Sequence, residues 1–229
     1  MNAFDSTIIH FLNQFAFRWK LLDLLALAMT KAYVLRGLPM ITLLWWIWFR
    51  DRPDKLRDRE IVITTIVASV CVLALGRLLA YLTPFRLRPF ANPELGLQFL
   101  TSAENKLQTW NAFPSDHAML WCAVATGVFV ASRRVGFFAL AYAILFISMT
   151  RVYVGLHHPT DVLAGIALGV SICLLLNLTQ CRQLIATPVL RFSREHQCLF
   201  HVGMFLLSFG MVTHFDELLK LGSSFLKYI

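Results

Sequence analysis

Apolar residues run along this chain in long stretches separated by short polar or proline-bearing segments, the pattern of helices that bury themselves in lipid. The first stretch, Leu21 to Phe49, exceeds the roughly 20 residues that cross a hydrocarbon layer. It is broken by Lys31, Arg36 and Gly37-Leu38-Pro39, which predicts a short half-helix leading into one crossing over 34–49. Trp45, Trp46 and Trp48 near its end suit a membrane interface. Further crossings are expected at about 61–83, 116–132, 135–153, 160–179 and 198–214. Ahead of them, Phe4, Ile8, Phe11 and Phe15 recur at spacings of three and four, with Asp5, Asn13 and Gln14 off the stripe. That periodicity predicts an amphipathic helix over 3–17 lying in the interface. The pattern gives an all-α polytopic membrane helix bundle of about six transmembrane helices plus amphipathic terminal helices. It forms one membrane domain over 1–229: an interfacial helix at about 1–20, the bundle at about 21–215, and an amphipathic tail at about 216–229.

Composition supports this reading. The chain has 229 residues, 58% hydrophobic and only 15% charged, which disfavours a water-soluble globule and excludes a disordered chain. Five cysteines are an odd count, and Cys71, Cys122 and Cys173 sit in apolar runs, so no disulfide scaffold is expected. No cleavable signal peptide is expected, because the first basic residue is Arg18. The net charge of +8 invites a nucleic-acid partner, but the basic residues are scattered among apolar stretches rather than striped on one face. Their distribution fits membrane topology better. The loops 50–60, 133–134 and 180–197 carry ten Lys/Arg against seven on the other side, which makes theirs the cytoplasmic side. Both chain ends and the 84–113 connection then face outward.

The outward helix ends hold the chemistry. Arg86-Leu87-Arg88-Pro89, Pro114-Ser115-Asp116-His117, and Arg151 with His157, His158 and Asp161 all fall at one depth. Together they offer guanidinium groups, a hydroxyl, imidazoles and carboxylates, an inventory suited to phosphoryl transfer. Arg88 and Arg151 can each hold phosphate oxygens with two parallel hydrogen bonds. Ser115 and the amides after Pro114 open a helix, whose free N–H groups attract anions. His157 and Asp161 are four apart where a helix starts. If the first turn includes His157, Asp161 can accept from one imidazole nitrogen and leave the other free as a nucleophile. His117, from another helix, can protonate the departing oxygen.

These residues resemble the motifs of the type 2 phosphatidic acid phosphatase superfamily of membrane lipid phosphatases. Pro114-Ser115-Asp116-His117 is similar to its P-S-G-H motif, and Arg151 to His157 to Asp161 to its R-x5-H-x3-D motif. The resemblance covers roughly residues 20–215. It implies a phosphohistidine on His157 oriented by Asp161, with His117 as general acid. It also implies phosphate binding by Arg88, Ser115 and Arg151, and no metal or other cofactor. Three departures stand out: Thr150 replaces the serine before the motif arginine, Asp116 replaces glycine, and Tyr81 occupies the place of the lysine in the family's K-x6-R-P motif. Arg86 is the candidate for the missing positive charge, with Arg77 as another. P-S-D-H resembles the variant in bacterial polyprenyl pyrophosphate phosphatases. The expected substrate is therefore undecaprenyl pyrophosphate, met at the outer face of a bacterial inner membrane.

Other readings stand beside this one. Phosphatidic acid or phosphatidylglycerol phosphate is an alternative substrate, and a second lipid an alternative acceptor. A zinc site of His117, His157, His158 and Asp161 is opposed by the adjacent arginines. An anion transporter should show an internal repeat and interrupted helices near the midplane, whereas the polar residues gather at one interface. Lys31 and Arg36 read as interface anchors, His158 as structural, and Arg50 to Glu60 as a solvated loop. His10, His196, His201 and His214 carry no functional expectation. The expected partners are the lipid phosphate and surrounding lipids, with no obligate protein partner marked.

Overall fold

Proline, charge and short polar breaks divide the apolar runs into ten α-helices among the residues that the computed structural model describes, 2–101 and 109–215. These are α1 (Ala3–Asn13), α2 (Lys20–Lys31), α3 (Tyr33–Phe49), α4 (Lys55–Leu82) and α5 (Asp116–Ala131), followed by α6 (Arg133–Tyr142), α7 (Met149–Tyr153), α8 (Pro159–Leu176), α9 (Thr179–Glu195) and α10 (Gln197–Val212). A π-helical stretch, Ala143–Ser148, joins α6 to α7 without a break, and no strand occurs among the described residues.

α5 is the axis. Residues 118–128 are apolar or small on every side, and all of them are buried. A helix apolar all round belongs at the centre of a bundle. It packs on α8, α4, α6 and α3. Small residues allow the backbones to approach closely. A Cβ on Gly169 of α8 would lie 2.3 Å from the Met119 carbonyl oxygen, and one on Gly165 would lie 2.6 Å from that of Ser115.

Contacts at the helix ends sort the bundle into two poles. At one, Arg50 grips Asp58 with two bonds of 2.5 and 2.6 Å and donates to the Ala131 carbonyl at 3.0 Å. There too Arg182 pairs with Glu60 at 3.1 Å and donates to the Asn177 carbonyl. Trp48 stacks on Phe200 nearby. At the other pole the starts of α3, α5 and α8 meet the ends of α7 and α10. Thus α3, α4, α5, the α6–α7 unit, α8 and α10 each run between the poles. Among the described residues, three helices are long and apolar enough to cross a membrane: Lys55–Leu82, Arg133–Tyr153 and Pro159–Leu176. The α2–α3 pair, bent by 65°, makes a fourth if it counts as one broken span. α5 and α10, at 16 residues each, are apolar but shorter, about 24 Å long.

Three expectations change. The segment expected as a loop over 180–197 is instead the helix α9, Thr179–Glu195, followed at once by α10. Its ends both lie at the basic pole, and Arg182, Ala186 and Leu190, four apart, form its buried face. The N-terminal helix ends at Asn13, and its phenylalanine stripe stays exposed at Phe4, Phe11 and Phe15. The opposite face, Asp5 and Ile9, is buried against α7 and α8. Part of the 50–60 segment is a buried ion pair rather than a solvated loop, with Asp58 only 4% exposed. The expected tail at 216–229 lies outside the described residues.

Candidate active site

The turn between α7 and α8 presents the key histidine. Gly155 takes φ 83°, a left-handed conformation open to glycine, and a Cβ there would strike Phe99. The chain then doubles back, so that the Leu156 and His157 amides both donate to the Arg151 carbonyl. Pro159 opens α8, and the Asp161 carboxylate accepts from the His158 backbone N–H at 2.8 Å, a cap that fixes the helix start. Asn111 ties the facing segment together. Its amide donates to the Ala80 carbonyl and the Thr83 hydroxyl, while its carbonyl oxygen accepts from the Arg86 and Phe113 amides.

His157 is 3% exposed. Its Nδ1 lies 2.8 Å from the Ala112 carbonyl oxygen, which only accepts, so Nδ1 carries the proton. Nε2 is then the unprotonated nitrogen, and it faces an Arg88 NH at 3.2 Å. Asp161 was expected to orient this ring. Its carboxylate stands 4.0 Å from Nδ1, beyond hydrogen-bond reach, because the His158 amide and Arg86 engage it. The main-chain carbonyl of Ala112 takes that place. Burial, and then the charge of Arg88, press the His157 pKa down to about 3, which keeps the ring neutral.

His117 shows a parallel arrangement. Its Nδ1 meets Asp116 Oδ1 at 2.9 Å, and the same oxygen accepts its backbone N–H at 2.8 Å. The guanidinium of Arg36 lies 3.1 Å from Nε2. Arg36 is 4% exposed, so the expected interface anchor is a buried neighbour of the site. The ring of His214 stacks on His117, with centroids 3.8 Å apart and planes at 14°. Sequence reasoning missed both. Arg36 had one signal, a charge inside an apolar run; His214 had none, since its partner is 97 positions away.

Arg86 is engaged elsewhere than expected. Its guanidinium bonds to Asp161 and to Thr160 Oγ1, and pairs with Asp5 at 2.5 Å. Asp5, fully buried, also accepts the Thr160 amide at 2.9 Å, so α1 caps α8 from outside. Burial alone would raise the Asp5 pKa; the bonds from Thr160 and the charge of Arg86 outweigh it and hold the carboxyl below its ordinary value. Two carboxylates and a hydroxyl thus occupy a guanidinium expected to bind phosphate. Tyr81, in the register of the motif lysine, is 87% exposed, and Arg77 lines an apolar groove beside Phe215. His158 donates from Nε2 to the Leu87 carbonyl oxygen at 3.0 Å, a structural contact.

Arg151 is 5% exposed and its charge acts on His117, His157 and His214 alike. Ser115 is fully buried at the start of α5, and its hydroxyl has no hydrogen-bond partner. An orphaned buried hydroxyl at a helix N-terminus suits an anionic ligand oxygen. As for metals, Asp116, His117 and His214 bring three ligand atoms within 4.8 Å of one another, a different set from the expected zinc ligands. The Arg36 charge against His117 opposes a divalent cation there.

Comparison with known proteins adds four findings. The model of the PAP2 superfamily matches residues 22–183. The chain is 28% identical over 138 residues to the bacitracin transport permease protein BcrC of Bacillus licheniformis, covering 60% of this chain and 62% of that protein. It is 32% identical over 115 residues to the undecaprenyl-diphosphatase of Sulfolobus acidocaldarius, covering 49% and 52%. The chain therefore spans less than two thirds of either relative. Among solved structures, LpxE of Aquifex aeolicus matches with TM-score 0.50 and 22% identity, over 76% of this chain and 94% of that one, a likeness of fold.

Proposed function

Because this chain belongs to the PAP2 superfamily, we propose that it is an integral-membrane lipid phosphatase that hydrolyses undecaprenyl pyrophosphate to undecaprenyl phosphate and inorganic phosphate. The observation that carries the reading is the state of His157. Ala112 holds its proton on Nδ1, and the bare Nε2 faces Arg88 in a buried site beside the unpartnered Ser115 hydroxyl. Such a nitrogen is a nucleophile aimed at a place built for an anion.

In the first step Nε2 of His157 attacks the terminal phosphorus. The N–P bond forms, the P–O bond to the lipid phosphate breaks, and His117, entering the step as an imidazolium with its Nδ1–H on Asp116, delivers the proton of Nε2 to the departing oxygen. Arg88, Arg151 and Ser115 hold the equatorial oxygens as charge spreads over them. In the second step His117 takes a proton from water, whose oxygen attacks phosphorus. The N–P bond breaks and inorganic phosphate leaves. Asp116 keeps the proton of His117 on Nδ1 and so directs Nε2 to this exchange. Asp161 and Arg86 serve as positioning residues, holding the start of α8. No metal enters either step.

Six crossings, by the segments that run between the poles, fit an interfacial site with the tail entering between helices. The pole opposite the site gathers Arg50, Arg182 and the basic α9, which supports its lying in the cytoplasm and the site facing outward across a bacterial inner membrane. The name of the Bacillus relative, a transport permease, favours passage of a ligand instead. The clustering of every site residue at one pole favours hydrolysis over passage.

Phosphate release by the detergent-purified protein in excess EDTA tests the proposal, with undecaprenyl pyrophosphate, phosphatidic acid and phosphatidylglycerol phosphate as substrates. The expected result is EDTA-resistant release from the isoprenoid, lost in His157→Ala. Preference for a glycerolipid would replace the substrate and keep the mechanism. Retained turnover in the variant would reject the mechanism itself.

A further inference from the structure

We propose that His214, contributed by the end of α10, is a headgroup-binding residue of the site, its imidazole donating to a phosphate oxygen on the His117 side. Nothing in the family match reaches this position, since that match ends at residue 183. The proposal rests on the phosphatase reading above and adds a group to its site.

Four observations carry it. His214 is 1% exposed, yet neither of its ring nitrogens has a hydrogen-bond partner. A buried neutral imidazole has one N–H and one lone pair, and leaving both unmet is costly unless a ligand supplies the partner. Its ring lies flat on that of His117, so whatever His117 protonates passes beside it. The charges of Asp116, Arg36, Arg151 and Arg77 all act on it, three of them positive, a field that favours an incoming anion.

The fourth observation is the backbone. α10 ends in a Schellman motif, in which the Phe215 amide donates to the Gly210 carbonyl and the His214 amide to that of Met211. The residue after the cap in such a motif is left-handed and usually glycine. Here it is His214 at φ 57°, with Phe215 after it also left-handed at φ 56°. Placing a histidine where glycine fits best costs stability, and strain of this kind persists where the side chain has work to do.

This makes a clean variant available. His214→Gly relieves the backbone and removes the ring, and His214→Asn tolerates the left-handed conformation while keeping a donor. The full chain is purified in detergent, and thermal unfolding, KM and kcat are measured on the lipid substrate that wild type hydrolyses. The expected result is that His214→Gly unfolds no lower than wild type while its KM rises about tenfold or more, the loss of one hydrogen bond to a charged group. His214→Asn should recover part of the loss. Wild-type KM and kcat in His214→Gly would overturn the proposal. So would a fall in unfolding temperature, which would mark the ring as structural. If wild type turns over no lipid, the phosphatase reading fails, and inorganic pyrophosphate serves as probe. A pyrophosphate-induced rise in unfolding temperature that is absent in His214→Gly supports the binding role, and equal behaviour of the two proteins overturns it.

Discussion

The nucleophile depends on which nitrogen of one imidazole holds a proton. For His157 the Ala112 carbonyl decides it, and a backbone oxygen leaves no trace in sequence. The motif residues themselves were legible. His157, His117, Arg88, Ser115 and Arg151 are brought to one pole as their spacing implied, although Asp161 stands one layer further back. Arg86 was legible as a charge but not as an ion-paired one, because its partner Asp5 lies 81 positions earlier on a helix read as purely interfacial. The buried neutrality of His157 has a measurable consequence. Its folded pKa of about 3 lies below the ordinary 6.5, so its contribution to stability is full above pH 6.5 and is lost as pH falls toward 3. Across that window the unfolded chain binds a proton that the folded chain refuses, a slope approaching about 1.4 kcal/mol per pH unit. Unfolding temperature against pH should fall less steeply on the acid side in His157→Asn than in wild type. Parallel curves would show that the imidazole is not held neutral.

At the scale of elements, apolar runs were easy to find and their ends were not. α9 escaped because its buried four-residue period begins with a charge, Arg182, before Ala186 and Leu190, and α1 because its exposed phenylalanines outshone the buried Asp5–Ile9 face. Neither error touches the helices that carry the motifs. Those are coupled by α5 and α8, whose contact depends on Gly169. Gly169→Val puts a branched side chain where a Cβ would already sit 2.3 Å from the Met119 oxygen, so the two helices must separate. The Ser115 amide, which donates to the Asp161 carbonyl at 3.1 Å, and His117 would shift away from α8. Overpacking of this kind costs about 1–3 kcal/mol, and activity should fall with stability. A Gly169→Val protein with wild-type unfolding temperature and turnover would show that this contact does not set the site.

For the whole molecule, the all-helical class followed from the long apolar runs. The number of crossings did not, since α5 and α10 are shorter than a lipid-spanning helix usually is. What the fold achieves is to bring groups from six separate segments to one pole while carboxylates and carbonyls there orient the imidazoles. The proposed covalent phosphohistidine on His157 can be trapped by rapid quenching after mixing with lipid diphosphate labelled with ³²P at its terminal phosphorus. The expected result is protein-bound label that is stable to alkali, released by acid, present in wild type with EDTA and absent in His157→Ala. Phosphate released without any labelled protein, or label retained in His157→Ala, would contradict it.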